Sequence, residues 1–199
     1  MRILLVGASG TIGRLVYDTL RERGHDVVTV GRSSGDVRCD VTDPVQVEEL
    51  WSKVGEIDAV VSTAGHVRYA PLAELTSDDF AAAFADKALA QINLVRTGLE
   101  HLAPKGSFTL ISGIPSRDPV VSGAAAAAVN GAIEAFARAA AIEIAPRRIN
   151  VISPSVLEES LEAFGDFFPG FEPVAGAEVA RAFVKSVEGA ATGQILALP

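Results

Sequence analysis

Seven residues, Gly7-Ala8-Ser9-Gly10-Thr11-Ile12-Gly13, restrict this chain more than any other stretch. They follow Ile3-Leu4-Leu5-Val6, an unbroken aliphatic run of the kind that forms a strand buried on both faces of a parallel sheet. They lead into a helix expected from about Thr11 to Arg23, with Ile12, Leu15, Val16 and Leu20 at helical spacing and Gly24 as its stop. In that context each glycine has a task. Gly7 permits the tight turn, Gly10 lets the backbone approach a pyrophosphate, and Gly13 allows close helix–strand packing. Ser9, Thr11 and Ile12 complete the turn, whose free amides and positive dipole end attract phosphate. A dinucleotide is therefore the expected ligand.

The rest of the chain alternates in the same way. Strands are expected at Asp26–Val30, Val37–Asp40, Asp58–Ser62, Ser107–Ile111, Ile149–Ile152 and Gln194–Leu198. Helices are expected at about Pro44–Lys53 (capped by Asp43), Thr76–Leu102, Gly123–Ala145 and Ala177–Glu188. No helical pattern fits between the second and third strands, so that crossover reads as a bare loop. The pattern implies α/β architecture: one doubly wound parallel sheet, a Rossmann fold in a single domain spanning 1–199. Residues 154–176 break the alternation. Phe164, Phe167, Phe168 and Phe171 there form either an apolar lid over a substrate or a plug at the sheet's edge.

The end of the second strand discriminates between cofactors. NAD sites place Asp or Glu there for the ribose 2′-hydroxyl. Here the residues are Gly31-Arg32-Ser33-Ser34, and a guanidinium beside hydroxyls suits a 2′-phosphate. NADP is expected over NAD. The net charge of −8 argues against nucleic acid. The single cysteine, Cys39, fits a reducing compartment, and a cytoplasmic location is expected. No apolar run approaches membrane-spanning length, so no membrane association is expected. No His/Cys/Asp/Glu cluster has ligand spacing for a metal.

Over nearly its whole length the sequence resembles the short-chain dehydrogenase/reductase family. The match is carried by the Gly7-to-Gly13 turn, Asp40-Val41-Thr42-Asp43, Ser62-Thr63-Ala64-Gly65, Leu110-Ile111-Ser112 and Asn150-Val151-Ile152-Ser153-Pro154. The resemblance implies that Asp40 and Val41 lie near adenine, that Ala64 and Gly65 line the cofactor's middle, and that Pro154 lies beside the nicotinamide. It also implies a small-molecule carbonyl or alcohol substrate and a homodimer or homotetramer built on the long helices.

Catalysis is where the chain departs from the family. Tyr-x-x-x-Lys on the fifth crossover helix is replaced by Ala126 and Asn130. The family's asparagine position, on the preceding helix, falls on Lys87. Lysine and asparagine thus look exchanged, with Lys87 supplying the site's cation and proton, Asn130 bonding the ribose and Ser112 binding the substrate oxygen. The alternative makes Lys87 a solvated helix residue. Tyr69, just after Ala64-Gly65, could stand in for the missing phenol, as could His66, or either could simply pack in the loop. The expected activity is an NADP(H)-dependent oxidoreductase. The alternative is a non-catalytic NADP(H)-binding sensor or interaction protein that kept the fold.

Overall fold

The structure, a computed structural model, describes residues 1–199. Seven parallel strands form one sheet in the order β3-β2-β1-β4-β5-β6-β7. They are β1 (Arg2–Val6), β2 (Asp26–Gly31), β3 (Val37–Arg38), β4 (Ile57–Ser62), β5 (Leu102–Ile111), β6 (Arg148–Ser153) and β7 (Ile195–Ala197). The chain winds outward from β1 to β3, then returns to place β4 on β1's other side. That reversal opens a crevice at the carboxyl ends of β1 and β4, where ligands bind in sheets of this kind.

Side-chain alternation explains the two cores. In β1, Leu4 and Val6 face one layer and Ile3 and Leu5 the other, all at 1% exposure or less. The first layer holds α2 (Pro44–Val54), α4 (Ala90–Gly98) and α5 (Ala124–Glu143), with Trp51 and Phe108 as its largest side chains. The second holds α1 (Thr11–Glu22) and α7 (Gly176–Glu188), packed around Phe183. Each such side chain contributes about 1.5–3 kcal/mol by leaving water.

The caps are those the residues dictate. Asp43 accepts hydrogen bonds from the Val45 and Gln46 amides at the start of α2. Thr76 and Asp79 bond reciprocally at the start of α3 (Ser77–Ala83). The β2–β3 crossover is a loop, as expected.

Three expectations need correction. The helix expected to run from Thr76 to Leu102 ends at Gly98, and Leu102 already pairs with Ile57 as the start of β5. It is also not uniform: Phe84–Leu89 is a π segment between α3 and α4. Finally, α5 is long and apolar enough, by length and composition, to cross a membrane, contrary to the sequence reading. Half of its apolar window is buried inside the fold, where small alanine side chains let it approach β6.

The excursion after β6 is clipped at its base. Leu157 pairs with Val174, and the Val174 amide donates to Val156 O at 2.9 Å. Between them lie the short α6 (Leu161–Phe164) and turns bearing the phenylalanines. Phe168 is buried against Ile114 and Val156, whereas Phe164 sits at the rim, 36% exposed.

Candidate active site

A crevice of about 290 Å³ lies over the β1–β4 switch point. Gly7, Ser9, Gly10, Arg32, Asp40, Val41, Ala64 and Gly65 all line it. Gly7 has φ +87°, a conformation few other residues tolerate. No side chain caps α1 and no acidic residue occupies its first turn, so the Thr11 and Ile12 amides are free for an anion. Gly13 is buried beneath them, and a Cβ there would lie 2.0 Å from Gly7 O. Asp40 Oδ1 is held by the Thr42 amide and hydroxyl at 3.0 and 2.8 Å. Thr63 bonds Val6 O and Gly7 O, joining β4's end to the turn. These residues fit a dinucleotide. Five expected contacts are not on the lining: Thr11, Ile12 and Gly13 lie behind it at the start of α1, Ser33 is exposed beside Arg32, and Pro154 is buried, its carbonyl accepting the Ile114 amide at 2.8 Å.

The crevice continues through Gly65 and His66 into a second cavity of about 200 Å³. Lys87 and Ala126 both line it, so the cation and the position lacking a tyrosine share one chamber. Gly65, at φ +130°, makes this possible, because a Cβ there would sit 2.5 Å from Lys87 Cγ. The Asp86 carboxyl anchors the opposite side, accepting the His66 amide at 2.6 Å. Half-buried Lys87 is pushed down to about 8 by desolvation, against the opposing pull of neighbouring Asp86. Lys87 thus lines the chamber with its side chain only partly open to solvent.

Tyr69 also lines the chamber, but as a wall. Its ring packs against Phe164, Phe167 and Phe168, with centroids 5.9, 5.0 and 6.1 Å away. Burial pushes its phenol up to about 12, the wrong direction for a proton-transfer group at neutral pH.

Ser112 and Asn130 are not on either lining. The Ser112 hydroxyl, at 4% exposure, donates to Glu134 Oε1 at 2.8 Å. The same oxygen accepts from Ser116 at 2.7 Å and Ser153 at 3.0 Å, so one buried carboxyl ties together the ends of β5, β6 and the turn between them. Arg117 extends the tie, donating to Ser153 Oγ, Ser153 O and Leu198 O. Asn130 Nδ2 donates to Gly113 O at 3.3 Å, and its buried Oδ1 has no partner. Ser112 is thus bonded into the scaffold and lies off both linings. Glu134 was missed by sequence reasoning, although it is one of the few charged residues in the alanine-rich helix. Replacing it with alanine leaves the Ser112 and Ser153 hydroxyls without their acceptor, while Ser116 keeps Gly113 O. A loss of about 3 kcal/mol is expected in urea unfolding, and an unchanged midpoint would show the cluster to be incidental.

Comparison with known proteins agrees with this geometry. The family model described as enoyl-(acyl carrier protein) reductase matches residues 8–197. Hydroxynaphthalene reductase arp2 of Aspergillus fumigatus is 29% identical over 141 residues, covering 68% of this chain and 52% of that protein. L-xylulose reductase of Homo sapiens is 27% identical over 178 residues, 80% of this chain and 73% of the enzyme. The crystal structure of protein lin1944 from Listeria innocua matches with a TM-score of 0.96 at 49% identity, covering 99% and 98% of the two chains. A small-chain dehydrogenase in complex with NADPH matches in fold, with a TM-score of 0.88 at 24% identity over 99% and 95%. The chain belongs to the short-chain dehydrogenase/reductase family of oxidoreductases.

Proposed function

We propose that this chain is an NADP(H)-dependent oxidoreductase that interconverts a small carbonyl compound and its alcohol, with Lys87 as the proton-holding group. The observation that carries the reading is the placement of Lys87. It shares a chamber with Ala126, and that chamber opens through Gly65 into the glycine-turn crevice. The named relatives are reductases, so the non-catalytic reading gains no support from them.

In this reading the amides at the start of α1 hold the pyrophosphate, Asp40 and Val41 border adenine, and Arg32 takes the 2′-phosphate. The bound cofactor supplies or accepts hydride. Lys87 donates its Nζ proton to the substrate oxygen during reduction and takes it back during oxidation. A lysine titrating near 8 is suited to this, since proton exchange is most effective when pKa lies near working pH. The apolar wall around it excludes water, which strengthens its hold on a developing alkoxide.

The cofactor choice is testable at Arg32. Arg32→Ala removes a guanidinium that would pair a phosphate bidentately. NADPH binding is expected to weaken roughly tenfold or more while NADH binding stays constant, read by fluorescence titration. Equal losses for both cofactors would refute the assignment.

We also propose that the chain assembles as a homodimer or homotetramer. Ile142 on α5 is 82% exposed and Leu89, beside α4, 50% exposed, an arrangement that a second copy would cover. Light scattering should give a mass of at least twice 20.7 kDa. A monomer at micromolar concentration would end the proposal.

A further inference from the structure

The chamber beside Lys87 has a one-sided chemistry. Tyr69, Phe164 and Phe168 form an aromatic wall, with Tyr69 edge-on to Phe164 at 65°. Val67, Val156 and Leu157 add an aliphatic surface. The polar side-chain atoms on the lining belong only to Lys87, His66, Ser160 and the phenol of Tyr69, and no carboxyl group borders it.

These facts sort substrates by chemistry. An open-chain polyol carbonyl brings several hydroxyls along its length, and the Phe164, Phe168, Val67, Val156 and Leu157 surfaces offer them no partner. A cationic substrate would meet the Lys87 ammonium with no counter-charge on the lining. A flat ring, in contrast, gains contact on both faces, and rings prefer the tilted and edge-on packing that this wall already shows. Size agrees: an apolar cavity of about 150 Å³ accepts benzene. The chamber, at about 200 Å³, has room for one ring and a short polar arm.

We infer that the substrate is a single-ring carbonyl compound, neutral or anionic, whose ring rests on the Tyr69–Phe164–Phe168 wall and whose oxygen meets Lys87 Nζ. This rests on the reading of the chain as an NADP(H)-dependent oxidoreductase and makes it specific. In the reductive direction the carbonyl carbon receives hydride from NADPH and its oxygen receives the Lys87 proton, giving the alcohol and NADP+. Solvent then reprotonates Lys87. Phe164, at the rim, is the specificity-determining side chain with the least structural burden.

The test uses the protein saturated with NADP+ and two anionic probes, benzoate and glycerate, titrated by calorimetry. A parallel assay follows NADPH oxidation with benzaldehyde, glyceraldehyde and 4-(trimethylammonio)benzaldehyde. Benzoate is expected to bind at least tenfold more tightly than glycerate. Benzaldehyde is expected to exceed both other aldehydes at least tenfold in kcat/KM. Phe164→Ala should erase most of the benzoate advantage and raise KM for benzaldehyde with little change in kcat.

Equal binding of the two probes overturns the inference. So does displacement of benzoate by NADP+, because the ring slot would then belong to the nicotinamide. Turnover of glyceraldehyde without benzoate binding sinks the inference and leaves the oxidoreductase reading standing. Benzoate binding to the NADP+ complex with no aldehyde reduced sinks the oxidoreductase reading and the substrate assignment with it, leaving only a ring-binding slot. The probe series needs only the native protein, so it decides even if Phe164→Ala folds poorly.

Discussion

Lys87→Met is expected to lower kcat/KM for carbonyl reduction by about a hundredfold to a thousandfold while leaving NADPH affinity within a factor of about two. Methionine keeps the unbranched stem that passes Gly65 and removes only the charge and the proton. The crevice residues that would hold phosphate and adenine lie in the loops after β1, β2 and β3, so cofactor binding is spared. The native enzyme should show kcat/KM for reduction level below about pH 8 and falling above it, as Lys87 loses the proton it donates. Lys87→Met should abolish that limb. A variant that retains full turnover, or a native profile flat through pH 9.5, would remove Lys87 from the chemistry.

The same lysine leaves a stability signature of defined sign. Its folded value, about 8, lies below the unfolded value of 10.5, so between them the unfolded chain binds more protons. Its contribution therefore makes the protein more stable as pH rises through that window. Urea midpoints at pH 8 and pH 10, compared between native protein and Lys87→Met, isolate that contribution.

Gly13→Ala is the second large effect. The new Cβ would meet Gly7 O at 2.0 Å, Gly7 C at 2.8 Å and Ala8 Cα at 2.9 Å, all backbone. Gly7 O cannot retreat freely, since it accepts the Gly10 amide at 3.1 Å and the Thr63 hydroxyl at 3.2 Å. Either α1 lifts from β1 or the turn opens. A loss of about 3 kcal/mol is expected in urea unfolding, with NADPH affinity down at least tenfold because the amides lose their aim. Gly10→Ala provides the contrast. Its Cβ meets Gly7 O at an ordinary 3.5 Å, so stability should hold while cofactor binding weakens at the approach surface. If Gly13→Ala melts like native protein and binds NADPH normally, the turn does not work as described.

What was legible in the sequence was what depends on near neighbours in the chain. The aliphatic run, the glycine turn and the first helix specify one another within about twenty residues, and the structure has them as read. The absence of a helix between β2 and β3 and the Asp43 cap are equally local. Placing Lys87 and Ala126 on one chamber required only the helical count and the family resemblance. What stayed hidden has a different cause. Ser112 was given the substrate oxygen by its resemblance to the family's serine position, and nothing near it in sequence shows where its hydroxyl bonds. Its acceptor, Glu134, lies twenty-two residues away and also gathers Ser116 and Ser153. Tyr69 was a candidate phenol until the phenylalanines from the excursion closed over it, and the bridge between Leu157 and Val174 that holds them there is non-local too. The π segment has no proline or glycine to announce it.

That segment has an evolutionary meaning. A π turn is one residue more than the α-helical ladder needs, so it behaves as a single-codon insertion inside an otherwise regular rod. Losing one residue between Phe84 and Leu89 would take up the bulge and restore the ladder, with the helix on either side keeping its register. Lys87 sits inside the bulge, so its side chain would be re-aimed while the capping box and the buried face of α4 stay as they are. The direction of the ammonium is thus set by one residue's worth of slack in a helix whose two ends are fixed.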